Sequence, residues 1–228
     1  MGIFDVFKKR KKEDIIPMYL YSEEELIEYD AHIRKCFGEY DEVFHEIVSP
    51  DIHLDVIIIP PTEEAPYYKL VTMGAGAYKM NVPEELSEYN LEYAEYVIFL
   101  PKDWDIKSGD PLNYWPIGML KNIARLPINF NTWLGYGHTV HGNQDESSFA
   151  DNTELNSFIL LTGLDLDGKA CDFKLSSGKT IRLYQLMALY QEELDYKMAN
   201  GSDALLDCLP DEEFPPIIRP DRENYFCK

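Results

Sequence analysis

The chain has 228 residues, of which 45% are hydrophobic and 13% aromatic, and its formal net charge is −20. Residues 1–12 carry a net charge of +4, so the other 216 residues carry −24. An acidic body of this kind disfavours nucleic acid and anionic membranes as partners and favours a basic protein. On charge alone, a surface that only keeps the protein soluble is the simpler explanation.

Cysteine usage and the N-terminus indicate the compartment. The cysteines Cys36, Cys171, Cys208 and Cys227 form no close pair, as expected for a protein of the reducing cytosol. The basic run 8–12 follows apolar residues, which is the wrong order for a signal peptide. No apolar run approaches the ~18 residues that a membrane helix needs. We therefore expect a cytosolic protein.

The first half of the chain predicts one helix followed by strands. Ser22 is followed three residues later by Glu25, a capping-box pattern, and apolar residues at helical spacing predict a helix over 23–37 that ends before Gly38. Apolar and β-branched runs then predict strands at 43–48, 53–59, 67–72 and 93–100. The strand at 53–59 ends in four apolar residues, which is typical of a central strand covered on both faces.

The second half predicts further helices and strands. Pro116 is expected to open a second helix that ends at Pro127. Short strands are predicted at 139–140 and 157–161, and mostly turn at 164–178. A third helix is predicted from Leu183 to Gly201, with one apolar face made of Leu186, Met187, Tyr190, Leu194 and Met198. Ser202 then caps a short helix that reaches Leu209.

These elements predict an α+β fold with a mixed, largely antiparallel sheet flanked by helices. Residues 1–15 are predicted to be a basic disordered tail, residues 16–210 the domain, and residues 211–228 an acidic, proline-rich tail.

No motif predicts catalysis, a cofactor or a metal. Gly74 and Gly76 lack the third glycine of a dinucleotide loop, so a turn or bulge is the better interpretation. The segment 165–168 has its glycine at the wrong position for a calcium loop. His138 and His141 stand three apart in a predicted strand or loop, where their side chains would face opposite ways. A metal-dependent hydrolase built on these histidines with Asp145 is therefore the weakest of three functional hypotheses.

Three patches combine aromatic residues or exposed loops with acids near strand ends. Aromatic anchors with an acidic rim suit a basic protein partner, because the ring supplies desolvated area and the acids orient the partner. The competing interpretation is that the rings belong to the core and the acids only face solvent. The predicted partner-binding residues are Tyr93, Glu95 and Tyr96; Asp103, Trp104 and Asp105; and Asp145, Glu146 and Asp151.

Four stretches, taken together, resemble the suppressor-of-fused domain family between about residues 24 and 210. Their order and spacing carry the resemblance more than any single piece. They are VFHEIVS (43–49) with HLDV (53–56) and PPT (60–62); LVTMG (70–74) with MNVP (80–83), YAE (93–95) and LPKDW (100–104); WP (115–116) with ARLP (124–127) and TWLGYGHTV (132–140); and LYQL (183–186) with LY (189–190) and EEL (192–194).

The resemblance implies an α+β architecture, no known catalysis and the binding of protein partners. The chain is similar to the N-terminal lobe alone, whereas animal members have a second lobe and hold a partner peptide as an added strand between the lobes. His141 and Ala188 depart from the pattern at positions where proline is expected. Bacterial relatives resemble immunity proteins of polymorphic toxin systems. The leading hypothesis is thus an immunity protein that neutralises a basic toxin, followed by a regulatory scaffold that binds a peptide by strand addition.

Overall fold

One mixed sheet organises the chain in the computed structural model, which describes residues 18–47, 49, 51–162 and 172–226. In space the strands follow the order β1-β2-β3-β4-β8-β6-β5, and β7 pairs with the first residues of β8. Every pairing is antiparallel except β4 with β8, which is parallel. The strands are β1 Glu42–Phe44, β2 Asp55–Ile59, β3 Tyr67–Met73, β4 Tyr93–Pro101, β5 Thr139–His141, β6 Ser157–Thr162, β7 Asp172–Lys174 and β8 Thr180–Leu189.

Four helices accompany the sheet in the described part of the chain. They are α1 Glu23–Phe37, α2 Pro111–Phe130, α3 Gln191–Asn200 and α4 Ser202–Cys208, with 3-10 turns at Ala75–Ala77, Glu84–Tyr89 and Asp211–Glu213. Within the residues that the structure describes, none of these helices combines the length and apolar character required to cross a membrane.

The two faces of the sheet are covered by different helices. Side chains alternate between the faces of a strand, so residues of opposite parity enter different cores. On one face α2 packs over the even-numbered residues of β2, β4, β6 and β8. On the other face α1 covers the odd-numbered residues of β2, β3 and β4, and α4 covers those of β6 and the end of β8. The predicted α+β class with a largely antiparallel sheet is therefore confirmed.

The start of the domain agrees closely with the sequence prediction. The Ser22 hydroxyl accepts a hydrogen bond from the Glu25 amide, and the Glu25 carboxylate accepts one from the Ser22 amide, both at 3.1 Å. This capping box begins α1, and Gly38 ends it with a φ of 116°. All five residues of β2 are buried, as predicted for a central strand.

The second helix is longer than predicted. Asp110 caps it by accepting a hydrogen bond from the Leu112 amide at 2.9 Å, so the helix begins at Pro111 rather than Pro116. Both Pro116 and Pro127 lie inside the helix and are buried. The stabilisation from burying the apolar side of this helix against the sheet outweighs the loss of the backbone hydrogen bonds that the two prolines remove.

The prediction of a helix from Leu183 was wrong. Residues 180–189 form β8, and α3 begins only at Gln191. Every residue of 183–190 is buried, because β8 lies inside the sheet with helices on both faces. A strand buried on both faces is apolar throughout, and a continuous apolar run also satisfies a helical spacing by chance. Met198, assigned to the apolar face of that helix, is 68% exposed.

The segment after Pro210 contacts the sheet over its described residues, 211–226. Ile217 forms a parallel bridge with Phe99 of β4, and the Ile218 amide donates to the Phe99 carbonyl at 2.9 Å. Gln185 of β8 donates from its side chain to the Pro216 carbonyl at 3.4 Å. The segment thus lies along β4 and β8 just beyond the residues that these strands pair with each other. The N-terminal tail predicted at 1–15 lies outside the described residues.

Candidate partner-binding groove

Strand β5 forms one edge of the sheet. Among the described residues it pairs with β6 alone, with Thr139 opposite Ile159 and His141 opposite Ser157. The Gly142 amide donates to the carbonyl of Asn156, the residue before β6, at 2.9 Å. Because backbone groups alternate in direction along an antiparallel pair, those of Thr139 and His141 point away from β6. These groups are available to pair with another extended chain.

A groove with a volume of about 480 Å³ runs between α2 and the segment that follows β5. Its lining is apolar in part and rich in side-chain amides, with one arginine and one glutamate. The apolar lining residues are Met119, Ile123, Leu126, Phe130 and Val140. The polar lining residues are Asn122, Arg125, Asn129, His141, Asn143, Gln144 and Glu146, with Gly142 between them.

Helix α2 supplies one wall of the groove because its residues recur at spacings of three and four. Positions 119, 122, 123, 126, 129 and 130 share one face of the helix. Ile123 at the middle is buried against the sheet, whereas Phe130 at the last turn is 70% exposed. Exposed phenylalanine at the end of an apolar floor is a typical anchor for a protein partner.

Arg125 is held in place on α2 by two acids of the loop before β2. Its Nη2 atom lies 2.6 Å from Oε2 of Glu46, and its Nε atom lies 3.1 Å from Oδ1 of Asp51. The guanidinium is thus neutralised by protein carboxylates. Among the described lining residues, Glu146 is therefore the charged side chain that has no opposite charge paired with it.

The other wall is a loop with its own hydrogen bonds. The Asn143 side chain donates to the Ser148 carbonyl at 2.8 Å, and Asn156 donates to the Glu146 carbonyl at 3.2 Å. Asp145 accepts a hydrogen bond from the Ser147 hydroxyl at 2.7 Å, and this bond with that of the Ser147 amide lowers the pKa of Asp145. These contacts order the rim loop, in which Asp145 and Glu146 are both exposed and Glu146 lines the groove.

Two of the predicted partner-binding residues are inside the molecule. Glu95 is 0% exposed and Tyr96 is 1% exposed, so neither can contact a partner at this surface. Both lie on β4, a central strand covered on both faces, and this burial corrects their assignment. Tyr93 at the start of the same strand is half-buried, with the Lys179 ammonium 5.4 Å from its ring centre.

The second predicted patch is divided between core and surface. Trp104 is half-buried, donates from its ring nitrogen to the Asn113 carbonyl at 2.9 Å and packs edge-on against Trp115. Asp103 and Asp105 beside it are exposed. Asp151 is also exposed, and its neighbour Asn152 donates to the carbonyl of Leu112 at the start of α2. The structure thus brings this patch and Asp151 to the start of α2, away from the last turn of α2 that borders the groove.

Of the two histidines around β5, His138 packs against a tryptophan and His141 lines the groove. The His138 ring meets Trp133 edge-on at 4.3 Å, and burial, together with the Lys197 charge, lowers the pKa of His138. His141 ends β5, which agrees with the predicted strand. Across the described ranges no three His, Cys, Asp or Glu side chains converge as metal ligands would. Gly74 and Gly76 form a turn whose amides donate to Glu95 at 2.8 and 3.0 Å.

Asp145 and Glu146 stay predicted partner-binding residues, and the sequence prediction did not include the α2 wall of the groove. Ending the predicted helix at Pro127 left out Asn129 and Phe130, which lie in its last turn in the structure. The apolar spacing of 119, 123, 126 and 130 was the available signal.

Comparison with known proteins identifies relatives of the whole fold. A family model described as Suppressor of fused protein (SUFU) matches residues 50–223. A curated protein of Ureaplasma parvum, Uncharacterized protein UU111, is 28% identical over 190 residues, which cover 82% of this chain and 88% of that protein.

Solved structures share the fold at low sequence identity. A SUFU homologue from Neisseria gonorrhoeae has a TM-score of 0.60 at 16% identity and covers 87% of this chain and 94% of its own. A chain from a Sufu–Fu complex has a TM-score of 0.61 at 13% identity, covering 86% and 90%. Drosophila Suppressor of Fused has a TM-score of 0.53 at 13% identity, and the match covers 87% of this chain but 48% of the fly protein.

Proposed function

Because the chain belongs to the suppressor of fused family, we propose that it is a non-enzymatic protein-binding module whose partner docks at the groove beside β5. A structurally similar chain comes from a complex of two proteins, Sufu and Fu, which supports binding as the role. The arrangement of residues in this chain supports the groove beside β5 as the binding site.

One observation carries the proposal: an edge strand with outward-pointing backbone groups lies next to a groove with an apolar floor. A sheet edge offers main-chain hydrogen bonds, and an adjoining groove offers pockets for side chains. Phe130 supplies an exposed aromatic anchor at the same place.

We propose that the partner is a basic protein. Residues 13–228 carry a net charge of −24, and Asp145 and Glu146 stand at the groove rim. Carboxylates at the rim steer a cationic partner and raise its association rate. The finer form of the proposal is an immunity protein, which neutralises a basic toxin of a polymorphic toxin system by covering it.

A second candidate is a regulatory scaffold that takes one peptide strand from its partner. The position of β5 at the edge of the described strands favours it, since the outward backbone groups of Thr139 and His141 can pair with an added strand. The two candidates differ in the consequence of binding, because only an immunity protein protects a cell from its partner.

The test begins with the genes on either side of the gene for this chain and uses a basic protein that they encode. Expressed alone in a bacterial host, that protein should stop growth, and co-expression with this chain should restore it. A variant with Asp145→Lys and Glu146→Lys should associate at least about tenfold more slowly at low salt. The control reverses Glu63 and Glu64, an exposed acidic pair in the β2–β3 turn.

The outcomes separate the candidates. Binding without toxicity supports the scaffold and refutes the immunity role. An association rate that does not change with salt, or that falls equally in both charge-reversed variants, refutes docking at the groove rim.

A further inference from the structure

We infer that the groove selects an extended segment of its partner in which an apolar residue and a basic residue are separated by one residue. The inference rests on the proposed function and specifies what the partner must contain. Four features of the groove lead to it: the edge strand, the apolar floor, the side-chain amides and the single uncompensated carboxylate.

The edge strand sets the conformation. A segment that pairs with the outward groups of Thr139 and His141 must itself be extended, and its alternate side chains then face α2. Val140 packs into the core beneath α2, so the α2 side of β5 is the side on which the groove opens. Residues i and i+2 of the bound segment therefore enter the same groove.

The lining sets what those two residues are. Ile123, Leu126 and Phe130 provide an apolar floor that favours burial of an aliphatic side chain. Glu146 stands at the rim, whereas Arg125 is already paired with Glu46 and Asp51. A lysine or arginine at the neighbouring groove-facing position would pair with Glu146.

The side-chain amides explain how the groove can bind the main chain of such a segment without selecting its other side chains. Asn122, Asn129 and Gln144 line the groove with their amides. Asn143 lines it too, but its amide nitrogen already donates to the Ser148 carbonyl within the loop. A carboxamide both donates and accepts hydrogen bonds, as a peptide group does, so it can satisfy the main chain of a ligand of any sequence. The amides give affinity, and the apolar–basic pair gives selectivity.

A second copy of this chain does not fit the site. It carries the same formal net charge of −20, so two copies repel each other as they approach. Charge complementarity therefore assigns the groove to a basic partner rather than to self-association.

The experiment uses the full chain, labelled with ¹⁵N, and the synthetic peptide acetyl-Ser-Thr-Leu-Thr-Lys-Thr-Ser-amide. Two control peptides carry Lys→Glu or Leu→Ser at the selected positions. We expect chemical-shift changes confined to the last two turns of α2 and to residues 139–146. The Lys→Glu peptide should bind about tenfold more weakly. In Glu146→Gln this discrimination should fall to about threefold or less, whereas Glu63→Gln should leave it unchanged.

Each result decides between the inference and its premise. Shift changes at another surface, no changes at millimolar peptide, or unchanged discrimination in Glu146→Gln overturn the inference. If the full partner still binds and loses affinity on reversal of Asp145 and Glu146, the proposed function stands while the inferred sequence preference fails. Loss of both would refute the groove as the binding site.

Discussion

Glu95 is a buried carboxylate that joins three parts of the fold. Its oxygens accept hydrogen bonds from the Tyr21 hydroxyl, the Thr72 hydroxyl and the amides of Gly74 and Gly76. Neither glycine can be replaced freely, since a Cβ on Gly76 would lie 2.0 Å from the Tyr21 oxygen and one on Gly74 would lie 2.0 Å from the His53 carbonyl. Complete burial raises the pKa of Glu95, and the four hydrogen bonds offset only part of that effect.

This pKa has a definite consequence for stability. A carboxyl whose pKa is higher in the folded protein stabilises the fold below its ordinary value of 4.5, and that contribution is lost as pH rises through the folded pKa. The unfolding free energy of the native protein minus that of Glu95→Gln should therefore decrease as pH rises above 4.5. Urea denaturation at several pH values measures the difference.

Glu25 provides the control of opposite sign. Burial alone would raise its pKa, but hydrogen bonds from Ser177, Lys179 and the Ser22 amide outweigh burial and lower it. The unfolding free energy of the native protein minus that of Glu25→Gln should thus increase as pH rises toward 4.5. Equal slopes in the two comparisons would contradict the roles assigned to both carboxylates.

Arg222 and Glu193 form a second buried site, this time as an ion pair. The Arg222 Nη1 atom lies 2.7 Å from Oε1 of Glu193, Nη2 also contacts Oε2, and Nη2 donates to the Ala188 carbonyl at 2.9 Å. Replacing Arg222 with Leu leaves Glu193 buried and unpaired, which should cost about 3–5 kcal/mol in chemical denaturation. Arg219→Leu is the control, because Arg219 is 39% exposed and should cost less than about 1 kcal/mol. A similar cost for both variants would show that charge burial is not the cause.

At the scale of elements, predictions succeeded where a local signal decided the structure. Helix α1 has both halves of a capping box and a glycine at its end, so its bounds follow from the sequence. Helix α2 and strand β8 are decided by burial against the sheet instead. Proline inside α2 and an apolar run in β8 each suggest a different local structure, and the tertiary contacts that outweigh them are not visible in a single sequence.

The loop that carries the groove rim depends on one glycine. A Cβ on Gly142 would lie 2.2 Å from the Phe149 ring, which stacks on Phe158 in the core. Gly142→Ala should therefore destabilise the protein by about 1–3 kcal/mol through overpacking. It should also weaken partner binding, since Asn143 and Glu146 move with the loop.

Gly109→Ala is the matched control for this substitution. Nothing lies within 4 Å of a Cβ on Gly109. We expect that variant to change the free energy of unfolding by less than about 1 kcal/mol in either direction. An equally stable Gly142→Ala protein with native partner affinity would mean that the loop adjusts without consequence.

On the scale of the whole molecule, the two chain ends are expected to contribute unequally. Residues 211–226 carry the buried Ile218 and the buried Arg222, which pairs with Glu193. Removing residues 211–228 should lower the midpoint of thermal unfolding by more than about 10 °C. Removing residues 1–12, which offer little to bury, should lower it by less than about 5 °C. Comparable shifts for the two deletions would contradict this difference.

The candidate site could be predicted only in part from the sequence. Acidic residues in a polar loop suggested Asp145 and Glu146, but the same reasoning chose Glu95 and Tyr96. A strand residue beside an acid has the same sequence signature whether its strand is central or at an edge. The order of strands decides this, and it follows from long-range pairing such as β4 with β8.

The parallel pairing of β4 with β8 also has a consequence for how the chain reaches its fold. Strands β1–β4 and β5–β8 each form an antiparallel block of neighbours in sequence, within residues 42–101 and 139–189. Such blocks close short loops and form early, whereas pairing β4 with β8 closes a loop of more than about 80 residues and is slow. Until that step the facing edges of β4 and β8 are unpaired, and either can accept the same strand from another copy. Refolding yield should therefore fall with protein concentration, with strand-exchanged dimers as the first misassembled species.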